Sequence, residues 1–210
     1  MSAEVFTVAT RPTPGLVRFK ASLVKFNLPV TALGEGEAEY WGHGWRWKTF
    51  IRAVKTSNAD TIIHCDGYDS VCLSASPEVL TKFASLSHPI VFSYEPQEQP
   101  EPWLALQPGL MMANRVELLK VFDDETLEGL FPDHFNDQYQ IQSLYSWKPE
   151  VFKLDAQGVL FHTVGPRSPE LVTRNNRLVN PDTGQSPAFV HAPNRGNLSK
   201  VEQWLGAQEP

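Results

Sequence analysis

The chain is short of cysteine, of long apolar runs and of positive charge, and each scarcity narrows what it can be. Two cysteines in 210 residues, Cys65 and Cys72, cannot build a disulfide framework. They read as small buried hydrophobes in a reducing compartment. No apolar stretch approaches the roughly 20 residues that cross a bilayer, so no membrane partner is expected. Met1 leads almost directly into Val5-Phe6-Thr7-Val8-Ala9, without a basic start or a long apolar segment. The expectation is a cytoplasmic chain without a signal peptide, in the host's cytoplasm if it is phage-encoded. Lys and Arg number 18 against 24 Asp and Glu, a net charge of −6 that argues against nonspecific attraction to nucleic acid. Arg167, Arg174 and Arg177 are the one basic concentration. There is no internal repeat, no interdomain linker and no sign of an obligate protein partner. With 41% hydrophobic and 20% charged residues, the composition is that of a single folded domain.

What is present is a strand and helix alternation. Glu4–Thr10 reads as a first strand. Leu16, Phe19, Leu23 and Phe26 then recur at helical spacing, and Pro29–Leu33 reads as a second strand. Strand, helix, strand within about 30 residues implies a parallel, right-handed βαβ unit. A loop from Gly34 to Gly44 leads into a helix with Trp47, Phe50, Ile51 and Val54 on one face, and with Arg46, Lys48, Arg52 and Lys55 assigned to the other. A helix over Val79–Leu86 and a strand over Pro89–Ser93 follow, giving an α/β fold. Pro96–Pro108 holds four prolines and is expected as a long surface loop, a lid or a substrate wall. Further on, Val116–Phe122 and 136–145 read as helices. Val151–Leu154 and Val159–Val164 read as a hairpin about Asp155-Ala156-Gln157-Gly158, Gly165–Gly184 as irregular, Ala188–His191 as a last strand and Leu198–Leu205 as a closing helix.

The chemistry concentrates in Thr61-Ile62-Ile63-His64-Cys65-Asp66-Gly67-Tyr68-Asp69, a buried strand that runs into an acidic turn. Two carboxylates three residues apart suit Mg²⁺ or Mn²⁺ and leave coordination positions for phosphate oxygens and water. A departing diphosphate needs such an ion, because charge builds on its oxygens as the bond breaks. Alone, D-x-x-D is most often an ordinary turn. By the same measure His191 alone reads as a core histidine, Lys48 as part of a solvated helix face and Asp137 as a helix cap. Trp41, Trp45 and Trp103 are open between core and sugar stacking, whereas periodicity puts Trp47 in the core. His43, His64 and His162 have no assigned role.

Several segments, in order, resemble a known family. Val5 to Thr10, Arg18-Phe19-Lys20, Ala32-Leu33-Gly34-Glu35-Gly36-Glu37, Asp66-Gly67-Tyr68-Asp69, Leu80-Thr81-Lys82-Phe83, Val91-Phe92-Ser93-Tyr94-Glu95, Asn136-Asp137-Gln138 and Phe189-Val190-His191 are similar to the glycosyltransferase domain of the procollagen lysyl hydroxylase and collagen glycosyltransferase group. The resemblance implies a GT-A fold, a Rossmann-like mixed sheet with flanking helices. It divides the domain into a nucleotide-binding half of about residues 1–95 and an acceptor half of about 96–210. It implies a UDP-sugar donor, Mn²⁺ (Mg²⁺ as the alternative ion) and retention of anomeric configuration.

Carried onto this sequence, the family motifs give Asp66, Asp69 and His191 to the metal. They give Thr7, Ala9, Thr10, Lys48, Tyr68 and Gly109 to the nucleotide-sugar, and Asp137 with Asn136 to the transferred sugar. The sequence departs from the family where Asn136 stands for an acidic residue and where Gly42-His43-Gly44-Trp45 stands for a triple-glycine run. It departs again at Gln107-Pro108-Gly109-Leu110, in place of a Ser-Gly-Gly strand, and at His191-Ala192-Pro193-Asn194, in place of His-Gly-Asn-Gly. The acceptor expected first is a hydroxymethylated pyrimidine, such as 5-hydroxymethylcytosine, in phage DNA. A protein or glycan hydroxyl is the alternative, and a nucleotide-sugar hydrolase or a noncatalytic nucleotide-binding module stands in a different class.

Overall fold

The computed structural model describes residues 2–37, 42–98, 101–134, 136–193 and 196–208. Trp41 and Asn194 lie outside the described residues. The chain alternates as expected through β1 (Ala3–Val8), α1 (Pro14–Lys25), β2 (Val30–Leu33), α2 (His43–Thr56) and β3 (Thr61–Cys65). It continues through β4 (Ser70–Cys72), α3 (Ser76–Leu86), β5 (Ile90–Tyr94), a 3-10 turn over Pro102–Ala105, β6 (Leu106–Asn114), α4 (Arg115–Val121), α5 (Asp124–Leu130) and α6 (Asp137–Trp147). The last elements are β7 (Phe152–Leu154), β8 (Phe161–Thr163), β9 (Val172–Arg174), β10 (Arg177–Val179), β11 (Phe189–His191) and α7 (Ser199–Ala207). Among the described residues no helix is long and apolar enough to cross a membrane.

The strands form a six-stranded mixed sheet in the order β2-β1-β3-β6-β5-β7, a three-stranded sheet β4-β11-β8 and the hairpin β9-β10. β1 is parallel to both β2 and β3, so the expected βαβ unit is present. Side chains alternate between two cores. Phe6, Ile62, Phe92 and Met111 pack beneath α2, α4 and α6, whereas Val5, Ile63, Val91 and Met112 face α1, α3 and the small sheet. Both cysteines lie in the second core, and burial pushes Cys65 well above, and Cys72 up to about 12 from, the usual thiol range.

Four expectations from sequence are corrected. The surface loop of 96–108 ends earlier, because 106–108 already belong to β6, the antiparallel strand between β3 and β5. Pro108 gave the loop impression. A proline is tolerated within a sheet where the ladder is interrupted, and here the β5–β6 register jumps between Phe92, opposite Met111, and Ser93, opposite Gln107. The hairpin about 155–158 does not form, since β7 pairs with β5 and β8 with β11. The buried Asp155 carboxylate accepts the backbone N–H groups of Val159, Leu160 and Phe161 at 3.0, 2.6 and 2.8 Å, capping the donors of the turn and sending the chain to another sheet. Residues 165–184 are not irregular throughout: Asn175 and Asn176, at φ 47° and 60°, make the two-residue turn of the β9-β10 hairpin. Arg46 is not on the solvated face of α2 but 8% exposed.

Two stability effects follow. Removing the Asp155 acceptor strands three backbone donors, so Asp155→Ala should lower urea-melt stability by about 3 kcal/mol. His162 is buried in β8, and its burial drives the imidazole down to about 4 from 6.5. The fold therefore holds the neutral ring, and the unfolded chain takes up the proton first. This stabilisation is complete above pH 6.5 and is lost as pH falls towards 4, at about 1.4 kcal/mol per pH unit. Relative to wild type, His162→Gln should show a shallower loss of unfolding free energy between those pH values.

Candidate active site

The site is built where β3 ends. Leaving the sheet, the backbone N–H of Asp66 donates to Gly109 O at 2.8 Å, and the N–H of Gly67 donates to Thr7 Oγ1 at 3.0 Å. These bonds hold the acidic turn against β6 and β1. On its far side, Ala192 N–H donates to Asp69 O at 2.9 Å, and β4 runs antiparallel to β11 with Ser70 opposite His191. That register carries a residue from the end of the chain back to the turn. His191 Nε2 lies 3.2 Å from Asp69 Oδ1 and 3.9 Å from Asp66 Oδ2, and one ligand atom from each of the three residues lies within 4.8 Å of the others. Gly109 makes room for the ring: a Cβ there would stand 2.2 Å from His191 Cε1.

The donor set fits a divalent cation. Asp69 Oδ1 is buried with no hydrogen-bond partner among the described residues, and an orphaned carboxylate oxygen is costly unless a positive charge meets it. Two carboxylates and an imidazole are hard-to-borderline ligands of the kind Mn²⁺ accepts.

Beside this cluster stands Arg46. Its guanidinium reaches Asp66 Oδ1 through Nη1 and Asp137 Oδ2 through Nη2. Asp137, the first residue of α6, is 4% exposed and also accepts the Trp47 indole N–H at 2.9 Å, while His43 Nδ1 lies 3.5 Å from its other oxygen. Burial pushes the Asp137 carboxyl upward, but the Arg46 guanidinium, His43 and the Trp47 donor outweigh it and hold the group below the usual carboxylate range. Asn136 caps the helix, its Oδ1 accepting the Gln138 N–H at 2.9 Å. The Gly42-His43-Gly44 stretch lets α2 start against the segment before α6, since a Cβ on Gly44 would fall 2.2 Å from Pro132 O. Behind Arg46, His64 is enclosed by Trp47 and Phe50 at ring separations of 5.1 and 4.8 Å, and burial together with the guanidinium brings its pKa to about 4.

A cleft of about 520 Å³ opens over the acids, lined among others by Thr10, Arg11, Thr13, His43, Arg46 and Tyr68. Of the residues singled out from sequence, Asp66, Asp69 and His191 come together, Thr10 and Tyr68 border the same cleft, and Asp137 joins them through Arg46. Tyr68 is 40% exposed, its hydroxyl accepting the Arg11 N–H at 3.2 Å. Thr7 and Ala9 are buried beneath the cleft floor. Lys48 is not brought to the acids. Its Nζ lies 3.2 Å from Glu128 and 3.3 Å from Asp133, and although burial opposes the charge, those two carboxylates raise its pKa. Sequence reading missed Arg46 because a charge was taken as a mark of solvent, yet Arg46 precedes Phe50 by one turn and Val54 by two, the spacing of the buried face.

Comparison with known proteins adds the lineage. A family model described as the PLOD GT domain matches residues 1–114. Bovine procollagen-lysine,2-oxoglutarate 5-dioxygenase 1 is 38% identical over 100 residues, 43% of this chain and 14% of the bovine protein. The Drosophila melanogaster procollagen-lysine,2-oxoglutarate 5-dioxygenase is 25% identical over 233 residues, 95% of this chain but only 31% of the fly protein. The chain thus spans less than a third of these relatives. Mouse xyloside xylosyltransferase 1 superposes with a TM-score of 0.57 at 11% identity, covering 94% of this chain and 99% of the mouse chain. A glycosyltransferase involved in glycosylation of the major capsid of PBCV-1 gives 0.53 at 14% identity over 98% of both chains. Staphylococcus aureus TarS 1-349 in complex with UDP-GlcNAc gives 0.53 at 10% identity over 94% of this chain and 60% of that one. At such identities the superpositions establish the fold, which is GT-A. With more than half of its length matched, the chain belongs to the PLOD GT domain family.

Proposed function

We propose that the chain transfers a sugar from a UDP-sugar to an acceptor hydroxyl, with Asp66, Asp69 and His191 holding Mn²⁺, or Mg²⁺ less well. The observation that carries this reading is the convergence of the acidic turn and His191 on one point, with Arg46 joining that point to Asp137. A UDP donor draws support from family membership and from the UDP-GlcNAc bound by TarS, a protein of the same fold. Mn²⁺ held by the three ligands would offset the charge that develops on the departing diphosphate.

The residues divide the remaining work. Arg46 keeps Asp137 ionised and aims both Asp137 and Asp66. Tyr68 and Thr10 border the nucleoside, with Thr7 and Ala9 buried behind them. Asp137 presents an ionised carboxylate to the positive charge that builds on the anomeric carbon. Held below the usual carboxylate range, it is a poor proton acceptor. The acceptor's proton then goes to the departing phosphate oxygen, which puts attack and departure on one face and supports retention of configuration. A DNA acceptor finds little support: Arg177 is paired with Glu78 and Arg167 with Glu98, so two of the three arginines available to a polyanion are already neutralised.

Thermal unfolding in UDP, GDP and ADP, each with and without Mn²⁺, tests the donor. UDP with Mn²⁺ should stabilise the fold by about 2.7 kcal/mol at a hundredfold excess over Kd, and the other pairs should do less. Asp66→Ala and Asp69→Ala should lose this shift and cut transfer by about 10²–10³-fold without loss of folding. Wild-type turnover in either variant would refute the metal assignment. Sugar release to water at a rate indifferent to acceptor would point to a hydrolase, and no shift with any nucleotide to a noncatalytic module.

A second comparison separates the two basic residues of α2. Arg46→Ala should lower kcat by about 10²-fold, while Lys48→Ala, which breaks partly exposed pairs with Glu128 and Asp133, should leave kcat within about threefold of wild type. The reverse order would return the phosphate role to Lys48.

A further inference from the structure

The donor-side cleft is lined by Arg46, whose guanidinium holds Asp137, and a second cleft is lined by Asn136, the residue before Asp137. Asn136 lines a groove of about 520 Å³ together with Glu95, Gln97, Gln138, Tyr139 and Gln142. Pro96 and Arg167 form part of its wall and also part of the wall of an adjoining pocket of about 170 Å³, lined further by Thr163, Ser168, Asn180 and Asp182. The two spaces are therefore neighbours on either side of a shared wall. They lead from the first turn of α6 towards β8 and the segment that follows β10.

We propose that this groove is the acceptor site and that it takes a neutral oligosaccharide. The inference rests on the transferase reading above and names the substrate class that reading leaves open. Each sugar hydroxyl both donates and accepts, and so does each amide side chain of Gln97, Asn136, Gln138 and Gln142. Gln142 spends its donors on Leu104 O at 3.2 Å and Leu106 O at 3.5 Å, which leaves its carbonyl oxygen to accept. Tyr139, 65% exposed, offers a ring face to the C–H face of a pyranose. In the adjoining pocket Thr163 is 2% exposed, and its hydroxyl, like that of Ser168, is buried without a hydrogen-bond partner among the described residues. Such groups call for a polar ligand.

Charge decides against the competing acceptors. Arg167, the one arginine in the groove wall, is paired with Glu98, which leaves Glu95 as the uncompensated charge among the lining residues and gives a polyanion nothing to bind. The apolar part of the wall is Leu104 with two prolines, too little for the side-chain pockets of a peptide. In the reaction the bond from the anomeric carbon to the diphosphate oxygen breaks and a bond to the oligosaccharide hydroxyl oxygen forms. The hydroxyl proton passes to the departing phosphate, releasing UDP. Asn136, in the wall of the groove, is the chain neighbour of Asp137, which Arg46 ties to the donor-side cleft, and on this proposal that link brings the hydroxyl to the transferred sugar.

Saturation-transfer NMR on the whole chain tests this, with cellotetraose, maltotetraose and xylotetraose, their monosaccharides, a lysine-bearing peptide and a single-stranded oligonucleotide as probes. At least one tetrasaccharide should receive saturation more strongly than its monosaccharide. The signal should fall at least fivefold in Tyr139→Ala and in the near-isosteric Thr163→Val, with thermal melts reporting folding. Saturation of the peptide or the oligonucleotide alone, of no saccharide, or of a saccharide insensitive to both substitutions overturns the proposal. UDP titration of wild type in Mn²⁺ reads the donor side separately. A chain that binds UDP but no saccharide refutes the acceptor site alone, and one that binds saccharide but no UDP refutes the donor reading and leaves the groove standing.

Discussion

A buried guanidinium shared by two carboxylates is the constraint on which this molecule turns. Arg46 leaves α2, meets Asp66 where β3 ends and meets Asp137 where α6 begins. A charge taken out of water is tolerated only when its partners are close and well aimed, so the three elements cannot move independently without exposing an unpaired ion to the core. Trp47, the next residue of α2, donates to the same Asp137 oxygen, and its ring packs on His64, Phe50 and Phe122. One end of the network is therefore anchored in the main core, and the other is presented to the cleft.

The second constraint is topological. Sequence neighbours make the acidic turn, but the histidine that meets it lies more than 120 residues away and arrives only because β11 pairs with β4 in a set register. Shifting that pairing by one residue would turn His191 to the opposite face of the small sheet. Gly109 in β6 then fixes how closely the ring can approach. The geometry of this cluster is thus a property of three strands from two sheets.

Much of this was legible beforehand, and the rest was not for definable reasons. The parallel alternation of β1, α1, β2 and β3 is written in local periodicity and needs no distant information. The resemblance to the lysyl hydroxylase family drew Asp66, Asp69 and His191 together before any geometry did. Where sequence reading failed, a side chain or a distant strand overrode the local pattern. Asp155 caps three backbone donors and turns an apparent hairpin into a crossover between sheets. Pro108 marks an interruption in a ladder and not a loop. The Asn175-Asn176 pair, a turn signal in its own right, was lost inside a polar stretch. Arg46 was misplaced by weighing its charge above its spacing.

The stretch matched by the family model closes on Asn114, the last residue of β6, and so contains five of the six strands of the main sheet. It holds Arg46 and Asp66 but neither Asp137 nor His191. A chain emerging from the ribosome amino end first would complete most of its sheet while the guanidinium had one carboxylate in place of two. The half-satisfied charge is relieved only when α6 docks, the same event that brings Asp137 to Arg46. Maturation of this fold and assembly of its reactive centre are in that sense a single step, and a truncated nascent chain would carry the architecture without the chemistry.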